Sequence, residues 1–157
     1  MKILRNRDEF TFCFTMTTKM DKIIIVLRMK CVKIIKLADF EALKKDNFRF
    51  FTFLERLDVS GHCSDSLVLQ LAQHCPGLRH LSANRSKTLS DAALGAISGT
   101  QRIREGFVRG CKKLKRLEIS GCPLITASKI VSLLLFLPRI QYLHCPERLD
   151  QVIKLLV

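Results

Sequence analysis

The stretch that decides the fold is Leu114-Lys115-Arg116-Leu117-Glu118-Ile119-Ser120-Gly121-Cys122. It recurs upstream as Leu54-Glu55-Arg56-Leu57-Asp58-Val59-Ser60-Gly61, with further copies at Leu78-Arg79-His80-Leu81-Ser82-Ala83-Asn84 and Ile140-Gln141-Tyr142-Leu143-His144-Cys145. Each copy has the form L-x-x-L-x-L, with Ala83 and Cys145 at the last apolar position. The alternation over the last four positions fits a short strand with one face buried. A second pattern follows each strand. Leu89-Ser90-Asp91-Ala92-Ala93-Leu94 matches Ile125-Thr126-Ala127-Ser128-Lys129-Ile130, and Ser64-Asp65-Ser66-Leu67-Val68-Leu69 is a shorter version. A Ser or Thr ahead of apolar residues at helical spacing predicts an N-capped helix, ending near Cys75-Pro76 in one unit and Leu137-Pro138 in another. Each unit is therefore a strand, a turn and a helix.

The period tests this reading. Leu54 to Leu78 is 24 residues, Leu114 to Ile140 is 26, and Leu78 to Leu114 is 36. Treating residues 99–108 as a ten-residue insertion in a convex-side loop reduces the long interval to 26. No single unit of this size buries its own apolar residues, so they must stack into a solenoid. The expected fold is α/β, a right-handed solenoid of short parallel strands with outer helices and about three and a half repeats over residues 54–157.

The phase of the cysteines adds a resemblance. Cys111-x-x-Leu114-x-x-Leu117-x-Ile119-x-x-Cys122, followed by Leu124-Ile125-Thr126, resembles the cysteine-containing leucine-rich repeat of F-box/leucine-rich-repeat proteins. The resemblance covers residues 54–157. It implies that Cys122 sits at the turn after the strand and bonds the neighbouring turn, with Ser86 and His62 at the same place in the other copies. It also implies a substrate-recognition module in SCF-type ubiquitin-dependent degradation, in which another subunit supplies the chemistry. No F-box is readable: the chain has no Trp, and its first proline is Pro76.

In such stacking the polar positions between the leucines face the concave surface in columns about 4.8 Å apart. One column is Arg56, His80, Arg116 and Tyr142; the next is Asp58, Ser82, Glu118 and His144. A strip that alternates basic and acidic groups suits protein docking, because Asp58 and Glu118 would repel a phosphate backbone. These eight residues are the candidate partner-binding face. A second candidate is the basic patch Arg102, Arg104, Arg109, Lys112, Lys113 and Lys115, which runs into Arg116. It supports the alternative of a nucleic-acid-associated protein, or a solvated helix end where cations complement the dipole.

Composition agrees with an intracellular folded protein. The chain has 157 residues, 48% of them hydrophobic and 26% charged, which is a globular composition. Net charge is +13, spread as +6 over the first 53 residues and +7 over the rest, so it is not a basic tail on a neutral body. Such a charge favours acidic partners. Apolar runs such as 23–27 and 132–137 are far short of the roughly 20 residues a membrane span needs. Arg5, Arg7, Asp8 and Glu9 leave no room for a signal peptide. Seven cysteines, an odd number, read as reduced thiols. A cytoplasmic or nuclear monomer is expected.

No chemistry is legible. The pairs His62-Cys63, His74-Cys75 and His144-Cys145 lack the short double spacing of a zinc site. Cys111, flanked by Arg109, Lys112 and Lys113, falls at a buried repeat position, where a thiol is inert. Gly106 and Gly110 do not form a phosphate loop. We therefore expect no enzyme activity, no catalytic residue, no cofactor and no metal. The first 53 residues remain unassigned, as a cap, a degenerate repeat or a disordered segment. Cys31-Val32-Lys33-Ile34-Ile35-Lys36-Leu37 shadows the repeat, although Asp39 then falls at an apolar position. Phe48, Phe50, Phe51 and Phe53 are candidates to cover the first repeat's open edge, and Leu149 to Val157 reads as a capping helix.

Overall fold

The computed structural model describes residues 2–6, 9–14, 34–37, 52–103 and 106–149. Within them the sheet contains β1 (Lys2–Asn6), β2 (Glu9–Phe14), β3 (Ile34–Leu37), β4 (Arg56–Asp58), β5 (His80–Ser82), β8 (Arg116–Glu118) and β9 (Tyr142–His144), hydrogen-bonded in that order. β1 pairs with β2 antiparallel, and every later pair is parallel. A separate antiparallel hairpin joins β6 (Arg102–Ile103) and β7 (Gly106–Phe107). Helices α1 (Asp65–His74), α2 (Asp91–Ser98) and α3 (Ala127–Phe136) follow β4, β5 and β8.

The L-x-x-L-x-L phase explains the stacking. Leu57, Leu81 and Leu117 stand opposite one another in the register and are buried. Leu54, Leu78 and Leu114 form the layer before them, and Val59, Ala83 and Ile119 the layer after, all buried completely. The backbone repeats one pattern at every step. Val59 N donates to Ser82 O at 2.8 Å, Ala83 N to Glu118 O at 2.8 Å, and Ile119 N to His144 O at 2.7 Å. From the helices, Leu67, Val68, Leu71 and Ala72, then Ala93, Leu94 and Ile97, then Ile130 and Leu133, close the core. Burying whole leucines at about 2 kcal/mol each is what holds strands only three residues long.

Ser64, Ser90 and Thr126 cap the three helices in extended conformation, each accepting from a first-turn N–H. The preceding turns need a left-handed residue, supplied by Gly61 (φ 82°), Arg85 (φ 57°) and Gly121 (φ 68°). The first turn corrects one expectation. Cys63, not His62, takes the buried place equivalent to Ser86 and Cys122, while His62 is exposed. Three residues separate Val59 from Cys63, whereas two separate Ala83 from Ser86 and Ile119 from Cys122, which shifts the turn position by one.

Residues 99–108 differ from the loop expected there, because they contain the β6–β7 hairpin. Gly99 (φ 76°) and Gly110 (φ 73°) meet at its neck, and Cys111 N donates to Ile97 O at 2.8 Å across it. At the other end, β3 extends the parallel sheet with Ile35 opposite Leu57. The phase is two residues earlier than a frame counted from Cys31, so Leu37, not Asp39, falls at the last apolar position. Phe53 is 55% exposed and does not bury itself against the first repeat. Phe48, Phe50, Phe51 and residues 150–157 lie outside the described residues; Leu149 is buried.

Candidate functional site

The strand register brings the eight concave candidates together. Arg56 stands opposite His80, His80 opposite Arg116 and Arg116 opposite Tyr142; Asp58, Ser82, Glu118 and His144 pair in the same way. The strands alternate, so each column residue flanks a buried leucine and itself points away from the core. Arg56, Arg116, Tyr142 and His144 are exposed, and Asp58, His80, Ser82 and Glu118 are half-buried.

One hydrogen-bonded network ties this face. Asp58 Oδ1 accepts from the Ser60 hydroxyl at 2.8 Å and from Ser60 N at 3.2 Å. The Ser60 hydroxyl lies 3.0 Å from that of Ser82, and Ser82 donates to Glu118 Oε2 at 3.2 Å. Asn84 Nδ2 donates to the same oxygen at 3.1 Å, while Asn84 Oδ1 accepts from Ser120 N at 2.9 Å. Arg116 Nε donates to Glu118 Oε1 at 2.6 Å, and its guanidinium carbon lies 4.1 Å from the centre of the Tyr142 ring. A cation held on an aromatic face and tied at one nitrogen has lost much of its rotamer freedom.

The electrostatics follow from these partners. Partial burial raises the Glu118 carboxyl, but donors from Arg116, Asn84 and Ser82 together with the Arg116 charge outweigh it and hold the group below the ordinary Glu value. Burial first, then the cations Arg56, Arg116 and Arg79, push the His80 imidazole below its ordinary value. His80 is thus biased to the neutral form by positive charge converging on it. Ser60 and Asn84 are network members that sequence reading missed; Asn84 carried the clearer signal. It follows the apolar position of its repeat, where Ser60 and Ser120 stand in the others, and that substitution was the available signal.

The basic candidates differ in their settings. Lys112 Nζ donates to Ser98 O at 2.6 Å, so this cation closes the C-terminus of α2. Lys115 is half-buried, with its backbone in the strand ladder. Arg102, Arg109 and Lys113 are exposed, and Arg104 lies outside the described residues. Arg116 belongs to the concave face.

The cysteines are structural. Cys63, Cys75, Cys111, Cys122 and Cys145 are all buried. Cys122 Sγ donates to Ala83 O at 3.3 Å, and Cys63 N donates to the Ser86 hydroxyl at 3.1 Å, so the turn column bonds from repeat to repeat. Burial pushes the Cys75 and Cys111 thiols up to about 12, with Lys112 only a smaller opposing influence at Cys111. Neither is a thiolate near neutrality. Among the described residues no group of three His, Cys, Asp or Glu is placed to hold a metal, and no helix is long and apolar enough to cross a membrane.

No family model and no curated protein sequence matches this chain. Among solved structures it is similar to the C-terminal domain of tropomodulin from Caenorhabditis elegans. Identity is 12%, the TM-score is 0.58, and the alignment covers 87% of this chain and 92% of that one. At this identity the likeness is one of fold. The chain is an α/β leucine-rich-repeat-type solenoid. In a solenoid of this type the strand columns form a continuous surface, and that surface here carries the polar network.

Proposed function

We propose that this solenoid is a protein-interaction module, which binds its partner across strands β4, β5, β8 and β9. The observation that carries the reading is the fixed presentation of Arg116 and Tyr142 beside Glu118, in one column of parallel strands. An arginine and a tyrosine, already oriented and still exposed, are the residue types that dominate binding energy at protein interfaces. The buried thiols stand away from this face, and its oriented polar groups suit recognition. Resemblance to F-box/leucine-rich-repeat sequences adds the finer reading. The module recognises a substrate or a ligase subunit in SCF-type ubiquitin-dependent degradation, in the cytoplasm or nucleus, and leaves catalysis to another subunit.

The experiment is affinity capture from nuclease-treated cell extract at moderate salt, comparing the full chain with Tyr142→Ala and Lys113→Ala. The expected result is a partner set, including ligase adaptor or cullin subunits, that is lost with Tyr142→Ala and kept with Lys113→Ala. Capture without any ligase component, but still dependent on Tyr142, would remove the ubiquitin reading and leave the binding face. Capture seen only when nuclease is left out, and surviving Tyr142→Ala, would overturn both.

A further inference from the structure

The partner's chemistry can be read from which polar groups on the concave face are already used. Asp58 and Glu118 are the two acidic positions of the columns, and both face internal donors. Asp58 takes the Ser60 N–H and hydroxyl; Glu118 takes Arg116, Asn84 and Ser82. The cations are less committed. Arg56 is exposed and makes no ion pair among the described residues. Arg116 bonds Glu118 through Nε, which leaves the two terminal amino groups of its planar fork directed elsewhere. These two arginines lie two strands apart, roughly 10 Å between backbones. His80 stands between them in the column.

We propose that Arg56, His80 and Arg116 form a receptor for the carboxylates of an acidic, extended peptide segment of the partner protein, laid across the strands against Tyr142. This rests on the interaction-module reading and specifies its ligand. Charge complementarity supports it: Glu118 is held by internal donors on both oxygens and Asp58 by Ser60 on Oδ1, whereas the Arg56 guanidinium and the terminal amino groups of Arg116 face outward as donors. The His80 imidazole is depressed first by burial and then by Arg56, Arg116 and Arg79, so the same cations act on the centre of the column. The peptide fits better than nucleic acid because Asp58 and Glu118 form the adjacent column. A continuous phosphate backbone would have to cross that column, whereas a peptide can place neutral residues over it.

The test is fluorescence anisotropy on the full chain, with a fluorescein-labelled decapeptide of alternating Glu and Ala and its Gln–Ala counterpart. The acidic peptide is expected to bind and the Gln peptide not to. Arg56→Gln and Arg116→Gln should each weaken binding roughly tenfold, the scale of one charge-assisted hydrogen-bonding group. Lys113→Gln removes the same charge from an exposed position in the turn before β8 and should change affinity less than about twofold. Arg56→Gln breaks no side-chain hydrogen bond or ion pair among the described residues, so its result stands even if Arg116→Gln destabilises the sheet. Equal weakening by all three variants would assign binding to the overall +13 charge and overturn the proposal. So would a single-stranded oligonucleotide that competes the peptide away and is lost with Lys113→Gln. Absence of acidic-peptide binding, while extract capture still depends on Tyr142, would overturn the ligand and spare the interaction module.

Discussion

Asp65 is the residue whose removal tests most directly how the solenoid is joined. It occupies the first turn of α1, yet its carboxylate serves the next repeat: Oδ1 accepts from Ser90 N at 2.8 Å and Oδ2 from the Ser90 hydroxyl at 2.6 Å. That hydroxyl in turn accepts from Ala92 N at 3.2 Å, the cap of α2. Asp65→Ala therefore removes two charge-assisted hydrogen bonds, frees the rotor that caps α2, and takes a negative charge from the N-terminus of α1. Each such bond is worth about 1.5–3 kcal/mol when dry and the dipole about 0.3–1 kcal/mol. Both residues are half-buried, so water replaces part of this, and a net loss of about 2 kcal/mol is expected. For a chain of this length that corresponds to roughly 4–8 °C in the unfolding midpoint. Asp91 makes the equivalent pair with Thr126 (2.8 and 2.7 Å) at an exposed site, and Asp91→Ala should cost less. The assay is chemical denaturation of Asp65→Ala, Ser90→Ala and the double variant, with an expected coupling of about 1 kcal/mol. Strict additivity, or Asp91→Ala costing more than Asp65→Ala, would refute the reasoning.

Three further outcomes follow from the geometry. Gly61 and Gly110 both have positive φ, but a Cβ at Gly61 meets nothing, whereas at Gly110 it stands 2.7 Å from Gly99 N and Ile97 O. Gly61→Ala should cost about 1 kcal/mol and Gly110→Ala at least twice that, read by denaturant midpoints. Glu118 is held below its ordinary value in the folded state, so its stabilisation is full above that value and disappears as pH falls through the folded one. The stability gap between the natural protein and Glu118→Gln should accordingly hold steady near neutrality and shrink as pH falls below the ordinary Glu value, and a gap constant through acid pH would contradict the network. His80 should titrate below the free imidazole value in a proton–nitrogen NMR experiment, and Arg116→Gln should move it upward; an unmoved His80 would show that the Arg116 charge does not act on it.

Much of this was legible because the apolar phase fixes stacking. Once Leu57, Leu81, Leu117 and Leu143 share a layer, the register of Arg56, His80, Arg116 and Tyr142 follows by counting. The misreadings share one cause, a local change of length that apolar spacing does not report. One extra residue after Val59 moved the turn position from His62 to Cys63, and the frame counted from Cys31 missed that β3 aligns Ile35 with Leu57. The hairpin in residues 99–108 is short and held at its neck by Gly99 and Gly110, and neither feature has a hydrophobic period. The aspartate pairs were visible and went unread. Ser64-Asp65 and Ser90-Asp91 are 26 residues apart, yet the cap pattern assigns a role to each serine and none to the aspartate beside it.

The two polar systems divide the work of the fold. On the helix side, the Asp–hydroxyl pairs link Asp65 to Ser90 and Asp91 to Thr126; α3 then begins with Ala127, which has no carboxylate to continue them. There Arg148 takes over, donating to Pro123 O at 2.6 Å and Ile125 O at 2.8 Å, so a side chain satisfies carbonyls in the turn leading into α3. On the strand side, Ser60, Ser82, Asn84 and Glu118 link the same repeats through a separate set of donors. A solenoid's units contact only their neighbours, so each junction must hold by itself. Two independent links at the β4–β5 and β5–β8 junctions keep the strand columns from sliding, which is the condition for Arg116 to meet a partner already oriented. It follows that a change on the helix side, such as Asp65→Ala, should reduce stability while leaving the affinity of the still-folded protein for its partner unchanged. A parallel loss of affinity would show that the two sides act as one system.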